Sequence, residues 1–443
     1  MPSFFLKQEK SSIESRRFVG DKMTHSSRDH AAHWGLSCAS FLLFTAVSVL
    51  VGTTSAFGVV KRDTPLLMEK LVLGTVALPN VPGGSFQLLS DAYERGFCRF
   101  DLARSYGGGK CEELFGQWLD KSGVNREDLL LITKGGMGND KYGDPNRPMC
   151  SKESIQSELS ASLEALKTDY VDMYMLHRDD PRISAGQFVE WMNELREDGL
   201  IRAWGVSNWN LKRLEQAHDY AISRGLMPPS ATSPQLSLAV PSDEVWPTTH
   251  SLSCPSKVGE IEWYKANGVE IMGWEALAKG FMAVPTLWRE HEVNLSTFHG
   301  PDAEIGSETW RMQRIQRAYC TQLNYARRRI ATQLAKESGM SLAQVALLYS
   351  LAKGEHVSVL VGADRCSHLD EMAAIRDWSL DDEAFNCLTA ATKKSSVVSR
   401  VAAEIQEAKE ATVSLQKKVL VTPSTTQSFN ETMISSVVEP VLA

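Results

Sequence analysis

Four residues can together move a proton: Asp101, Tyr106, Lys134 and His177 each stand at or just past the end of a short apolar run. A phenol of pKa about 10 is a poor acid at neutral pH, and a neighbouring ammonium stabilises the phenolate and lowers that value. Lys134 can supply the ammonium, Asp101 can hold it, and His177 can hydrogen-bond the same substrate oxygen or relay its proton. Taken singly, each has a structural reading: a turn or capping carboxylate, a packed tyrosine, a rim charge, a satisfied histidine. Their coincidence at one rim shifts the weight towards chemistry. Ser207, Asn208 and Gln235 end two further runs on the same side.

The elements that must position these residues alternate. Strand-like runs are expected at Leu71 to Val76, Gly96 to Leu102, Leu129 to Lys134, Tyr170 to His177, Ile201 to Ser207, Thr232 to Leu236, Val269 to Trp274 and Val357 to Gly362. Helical patterns follow each, at Leu88 to Arg95, Glu112 to Lys121, Lys152 to Leu166, Ala185 to Glu197, Leu211 to Arg224, Gly259 to Asn267, Leu342 to Lys353 and His368 to Arg376. Ser341 and Gln344 form a capping box at the seventh helix. This rhythm predicts an α/β fold, a (β/α)8 barrel, whose carboxyl-terminal rim carries the chemistry. A doubly wound sheet is the alternative, but the GxGxxG fingerprint after its first strand is missing.

Three regions fall outside the rhythm. Residues 1–60 read as a targeting leader: an apolar run from Leu36 to Val51, basic residues before it and small residues after it, with cleavage after Ala56. Ser55-Ala56-Phe57 is similar to the junction of secondary-plastid leaders, which implies passage through the secretory pathway; a retained membrane anchor is the alternative. The barrel itself is expected over 66–393, with a charge-rich insertion at 284–336 that could serve as a lid. Within the insertion Glu308 to Glu337 reads as helix, and Arg327 to Arg329 as a solvated face. Residues 395–443 read as a helix and a low-complexity tail.

Composition narrows the class further. A 43% hydrophobic and 23% charged chain carries a sizeable core, and a net charge of −7 with no basic stripe points away from nucleic acid. The eight cysteines lie far apart without CxxC pairs, against a zinc site or a disulfide framework.

The segments Phe100-Asp101-Leu102-Ala103…Tyr106-Gly107 with Glu113 and Gly116, Ile132-Thr133-Lys134, Leu176-His177-Arg178-Asp179-Asp180-Pro181, and Gly199 through Trp204-Gly205-Val206-Ser207-Asn208 together resemble the aldo/keto reductases. The form of these segments is more like the bacterial-type and potassium-channel β-subunit branches than the sugar reductases. The resemblance implies an NADP(H)-dependent carbonyl reductase with Asp101, Tyr106, Lys134 and His177 as catalytic tetrad and a small carbonyl compound as substrate. It also implies that Ser207, Asn208 and Gln235 hold the nicotinamide carboxamide, that Trp274 stacks on the ring, and that Leu277, Gly280, Gly362 and Arg365 line the rest of the cofactor. Asp364 stands where a small hydroxyl residue is usual, and Glu371-Met372 replaces Glu-Asn. NADPH is nevertheless the expected cofactor, since Arg365 could pair with its 2′-phosphate, with NADH favoured to the extent that Asp364 repels that group. Two other functions fit parts of the pattern: a regulatory subunit that keeps the cofactor, and a lyase using Lys134 as a Schiff-base nucleophile.

Overall fold

The computed structural model describes residues 58–61, 68–137, 150–284, 288, 303 and 307–391. Residues 1–57, most of 285–306 and residues 392–443 lie outside the described residues, as do the leader and tail expected there.

Ten strands are described: β1 (Val59–Lys61), β2 (Leu71–Gly74), β3 (Arg99–Asp101), β4 (Leu130–Gly135), β5 (Val171–Leu176), β6 (Ile201–Ser207), β7 (Ala231–Ser233), β8 (Glu270–Gly273), β9 (Val357–Gly362) and β10 (Trp378–Leu380). The helices are α1 (Ser85–Glu94), α2 (Lys110–Ser122), α3 (Lys152–Leu166), α4 (Ala185–Glu197), α5 (Leu211–Arg224), α6 (Val258–Ala266), α7 (Glu308–Tyr319), α8 (Gln322–Ser338), α9 (Leu342–Leu351), α10 (Cys366–Ala373) and α11 (Asp382–Ala390). Strands β2 to β9 pair in parallel and in chain order, and β9 closes on β2 through Leu71↔Val359 to Gly74↔Gly362. The result is the expected eight-stranded (β/α)8 barrel. All eight runs form barrel strands, several of them shorter than their apolar runs because the closing turns take the ends.

Local chemistry sets the helix ends. Ser184, Asn210, Thr321 and Asp381 each accept a bond from the third helical N–H through the side chain. Ser341 and Gln344 form the anticipated capping box, and Ser151 with Ser154 form a second one. Gly116 allows α2 to lie against α3, since a Cβ there would sit 2.1 Å from the Ala165 carbonyl oxygen.

Two apolar layers hold the barrel. An outer layer between strands and helices contains Phe100, Phe115, Trp118, Leu159, Phe188, Trp204 and Leu348, all buried. Inside the barrel Val72, Ile132, Met175, Ala231 and Met272 pack together. Below them, at the amino-terminal end, Arg99 sends Nη1 and Nη2 to Glu270 at 2.7 and 2.9 Å. That pair seals the floor; the site lies at the opposite end.

Three expectations are corrected. The fold begins before residue 60, because β1 pairs antiparallel with β10 and the Gly58 N–H donates to Asp381. The insertion's helical stretch is two helices, broken at Cys320 and Thr321. Of the three arginines read as a solvated face, only Arg329 is exposed; Arg327 and Arg328 are buried. Arg327 donates to the Leu238 and Thr389 carbonyls, and Arg328 to that of Trp288. Backbone oxygens at loop ends substitute there for water, which a charge run in sequence does not disclose.

Candidate active site

Asp101 is the last residue of β3, and its carbonyl is tied down by the Thr75 N–H at 3.1 Å and the Thr75 hydroxyl at 2.9 Å. After it the chain turns through Tyr106–Gly109, where Gly107, Gly108 and Gly109 adopt φ of 58°, 67° and 94°. Such a run of left-handed residues needs glycine. Gly109 has a further reason: a Cβ there would strike the Arg104 guanidinium. Arg104 in turn reaches Glu112, at 3.5 Å, a fully buried carboxylate that also accepts from the Thr133 hydroxyl at 2.6 Å. The turn that carries Tyr106 is thus anchored to α2 and β4.

Strand β4 brings Lys134 into the same space. Its ammonium lies 2.6 Å from Asp101 Oδ1, donates to the Leu102 carbonyl at 2.7 Å and to the Tyr106 hydroxyl at 3.2 Å. The hydroxyl of Tyr106 also lies 3.4 Å from Asp101 Oδ2. His177 follows β5, its N–H bonded to the Gly135 carbonyl at 2.8 Å and its ring edge-on to Tyr106 at 5.9 Å between centroids. All four residues expected to act together are brought together.

Electrostatics sharpen their roles. Burial works against the Lys134 charge, but Asp101 and the phenol outweigh it and hold the ammonium above the ordinary lysine range. Burial pushes the Asp101 carboxyl up, with Lys134 opposing. Burial also pushes the Tyr106 phenol up in spite of Lys134, a correction to the expectation that the neighbouring ammonium brings it below the ordinary value. His177 is held well below its usual value, by burial first and then by the charges of Lys134 and Arg178. It is a neutral hydrogen-bonding group at physiological pH.

The rim residues divide into two groups. Ser207, Asn208 and Trp274 come together: Asn208, at φ 63°, donates to the Ser207 hydroxyl at 2.9 Å and accepts from the Trp274 indole at 3.2 Å. Gln235 joins them in the fold but is fully engaged within the protein. Its Oε1 accepts from Ser251 at 2.6 Å and Ser253 at 2.8 Å, and its Nε2 donates to Ser237 at 2.9 Å and Tyr319 at 3.2 Å. Tyr319, the last residue of α7, donates onward to Glu275 at 2.8 Å. The insertion is therefore keyed into this rim. Leu277 and Gly280 lie in the turn after β8, where the Gly280 N–H bonds the Leu277 carbonyl at 3.0 Å.

The far group closes the last strand. Gly362 is exposed with open space above its Cα, and Arg365 is exposed with its fork on the adjacent Asp364 at 2.8 and 3.1 Å. His368 Nδ1 lies 3.0 Å from the same carboxylate. The half-buried Trp274 face, the Asn208 amide and the open backbone at Gly362 fit a nicotinamide nucleotide, while Asp364 already occupies the guanidinium expected to meet a 2′-phosphate.

Residues 70–393 match the model of the aldo/keto reductase family. The chain belongs to that family. With the family comes its class, oxidoreductase. Among known proteins, the chain is 31% identical over 176 residues to the aldo-keto reductase YhdN of Bacillus subtilis, covering 38% of this chain and 51% of that one. It is 33% identical over 147 residues to a protein of Schizosaccharomyces pombe named as a voltage-gated potassium channel subunit beta, covering 33% and 42%. These matches span about half the length of those relatives, and both fall in the two branches that the sequence motifs resemble. A third, 25% identical over 297 residues, is named as a potassium channel subunit beta in Oryza sativa and is covered over 79% of its length, against 64% of this chain. Solved structures agree on fold: a thermostable aldo-keto reductase (TM-score 0.51, 24% identity, 73% of this chain and 95% of that one) and a glycerol dehydrogenase of Gluconobacter oxydans (TM-score 0.53, 22%, 75% and 93%).

Motif reading alone missed Glu112, Arg104, Tyr319 and Glu275. It singled out Glu113, which is exposed and pairs with Lys110 at 3.0 Å. A signal for Glu112 was present, because it shares the α2 face of Phe115, Gly116 and Leu119 at helical spacing. Nothing local marks Tyr319, whose partners are 84 and 44 residues away.

Proposed function

We propose that this protein reduces an aldehyde or ketone to the alcohol, with NADPH as cofactor and NADH as the alternative. The observation that carries this reading is the contact chain Asp101–Lys134–Tyr106, with the ammonium 2.6 Å from the carboxylate and 3.2 Å from the phenol. The cofactor, when bound, supplies the hydride to the carbonyl carbon. Tyr106 then delivers its proton to the carbonyl oxygen, and Lys134 stabilises the phenolate left behind. Neutral His177 orients the oxygen by a hydrogen bond. Asp101 acts through Lys134, keeping it charged and in place. Ser207, Asn208 and Trp274 hold the nicotinamide end.

The test is oxidation of NADPH by the full-length chain with 4-nitrobenzaldehyde. Tyr106→Phe should cut kcat about 10²- to 10⁴-fold, the range of one general acid, while the variant still binds NADPH. Turnover retained by the variant would sink the assignment of the acid. Two of the three relatives named above are called potassium channel β subunits, which supports a second reading as a cofactor-binding subunit acting through a protein partner. NADPH binding without turnover of any carbonyl would favour it.

A further inference from the structure

Arg178 follows His177 at the barrel mouth, and what it does there extends the carbonyl-reductase reading, on which this inference rests. The side chain is half-buried, and its hydrogen bond runs from Nη1 to the His177 carbonyl at 2.9 Å. The acids that follow it are taken: Asp179 lies 3.0 Å from Arg213, and Asp180 2.8 Å from Arg182. No carboxylate among the described residues pairs with Arg178. A guanidinium withdrawn from water is rarely left without an acid. Lys134, the other cation that acts on Tyr106, is already matched by Asp101 at 2.6 Å. Lys134 and Arg178 against Asp101 leave one positive charge in excess beside Tyr106. Burial disfavours the charge on Arg178, and Tyr106 lies close enough to act on it electrostatically.

We propose that Arg178 receives an oxyanion, carboxylate or phosphate, carried by the carbonyl substrate itself. The planar fork of a guanidinium matches either group, and the unfilled charge makes an acid-bearing carbonyl a better ligand than a neutral one. The bond to the His177 carbonyl holds the guanidinium next to the residue proposed to orient the substrate's carbonyl oxygen, so that one substrate would span both residues.

The experiment pairs 4-carboxybenzaldehyde with its methyl ester, and glyceraldehyde 3-phosphate with glyceraldehyde, using the full-length chain and NADPH. In at least one pair kcat/KM should favour the anion by about 10- to 100-fold, the range of one charge-assisted hydrogen bond, and the favoured pair names the oxyanion. In Arg178→Gln that ratio should fall to about one; in Arg178→Lys, which keeps charge but loses the fork, it should stay intermediate. A wild-type ratio near one in both pairs overturns the proposal, as does a preference that survives Arg178→Gln. Loss of NADPH affinity in Arg178→Gln with the ratio intact overturns it too, by assigning the guanidinium to the cofactor. If no carbonyl is turned over, the reductase reading fails separately, and calorimetry of the cofactor-loaded protein with 4-carboxybenzoate decides the anion site. Saturable binding lost in Arg178→Gln upholds the site, and absence of binding in the wild type overturns it.

Discussion

Arg99 and Asp101 stand two residues apart on β3, and both meet an opposite charge, yet one pair seals the floor and the other runs the mouth. At the floor, burial opposes the charge of Glu270, but two bonds from the Arg99 fork and one from the Ser358 hydroxyl outweigh it and hold the carboxyl below its ordinary value. At the mouth, a single ammonium is divided among Asp101, the Leu102 carbonyl and the Tyr106 hydroxyl, and burial wins: the Asp101 carboxyl is raised. The difference lies in donor geometry. A forked, hydroxyl-backed pair locks its charges, whereas a shared ammonium also reaches a third partner, the phenol.

Removing the mouth cation should have the largest effect. Lys134→Met is expected to lower kcat about 10³-fold, by withdrawing the charge that stabilises the Tyr106 phenolate, as steady-state assays with 4-nitrobenzaldehyde would register. A loss of only a few-fold would mean that Lys134, like Arg99, is a structural cation. The floor substitution should act on stability instead. Glu270→Gln strands the Arg99 guanidinium and should cost about 3 kcal/mol in denaturant unfolding, with kcat within about threefold of wild type. A fall in kcat larger than the fall in stability would erase the division between floor and mouth.

The smallest effect lies in the pH dependence of stability, where the two carboxylates should slope in opposite directions. Glu270 is lowered from 4.5, so its contribution is present above that pH and lost on acidification. Asp101 is raised from 3.8, so its contribution is present below that pH and lost as pH rises through the folded value. Melting temperatures between about pH 3 and 6 should show the gap between wild type and Glu270→Gln widening with pH, and the gap to Asp101→Asn narrowing. Parallel trends would mean that both pairs are locked alike.

Much of this was legible beforehand for a definite reason. A parallel barrel buries its strands on both faces, so eight apolar runs separated by helical patterns are enough to announce it, and the polar residues that end those runs must fall on one rim. That is how Asp101, Lys134, His177, Ser207 and Asn208 could be placed together from residue type and position. The capping box at Ser341 and Gln344 was readable because its chemistry spans only three residues. Long-range partners were not readable. Arg327 looks like part of a solvated triplet until the Leu238 and Thr389 carbonyls are brought to it. The pairing of β1 with β10 joins segments more than 300 residues apart, at the edge of a stretch whose composition reads as leader.

The sequence by itself determined the barrel and the set of polar residues gathered at its carboxyl-terminal rim, because strand periodicity and strand ends are local properties. Only the tertiary structure decided which charges are satisfied. Gln235 carries the amide suited to a carboxamide, but Ser237 beside it, Ser251 and Ser253 further along the chain and Tyr319 of α7 converge on it. Arg178 precedes two aspartates in the chain, and is left over because Arg213 and Arg182 take them. Whether a buried polar group is spent or available depends on atoms a few ångströms away that can lie anywhere along the chain, and the fold alone brings them together.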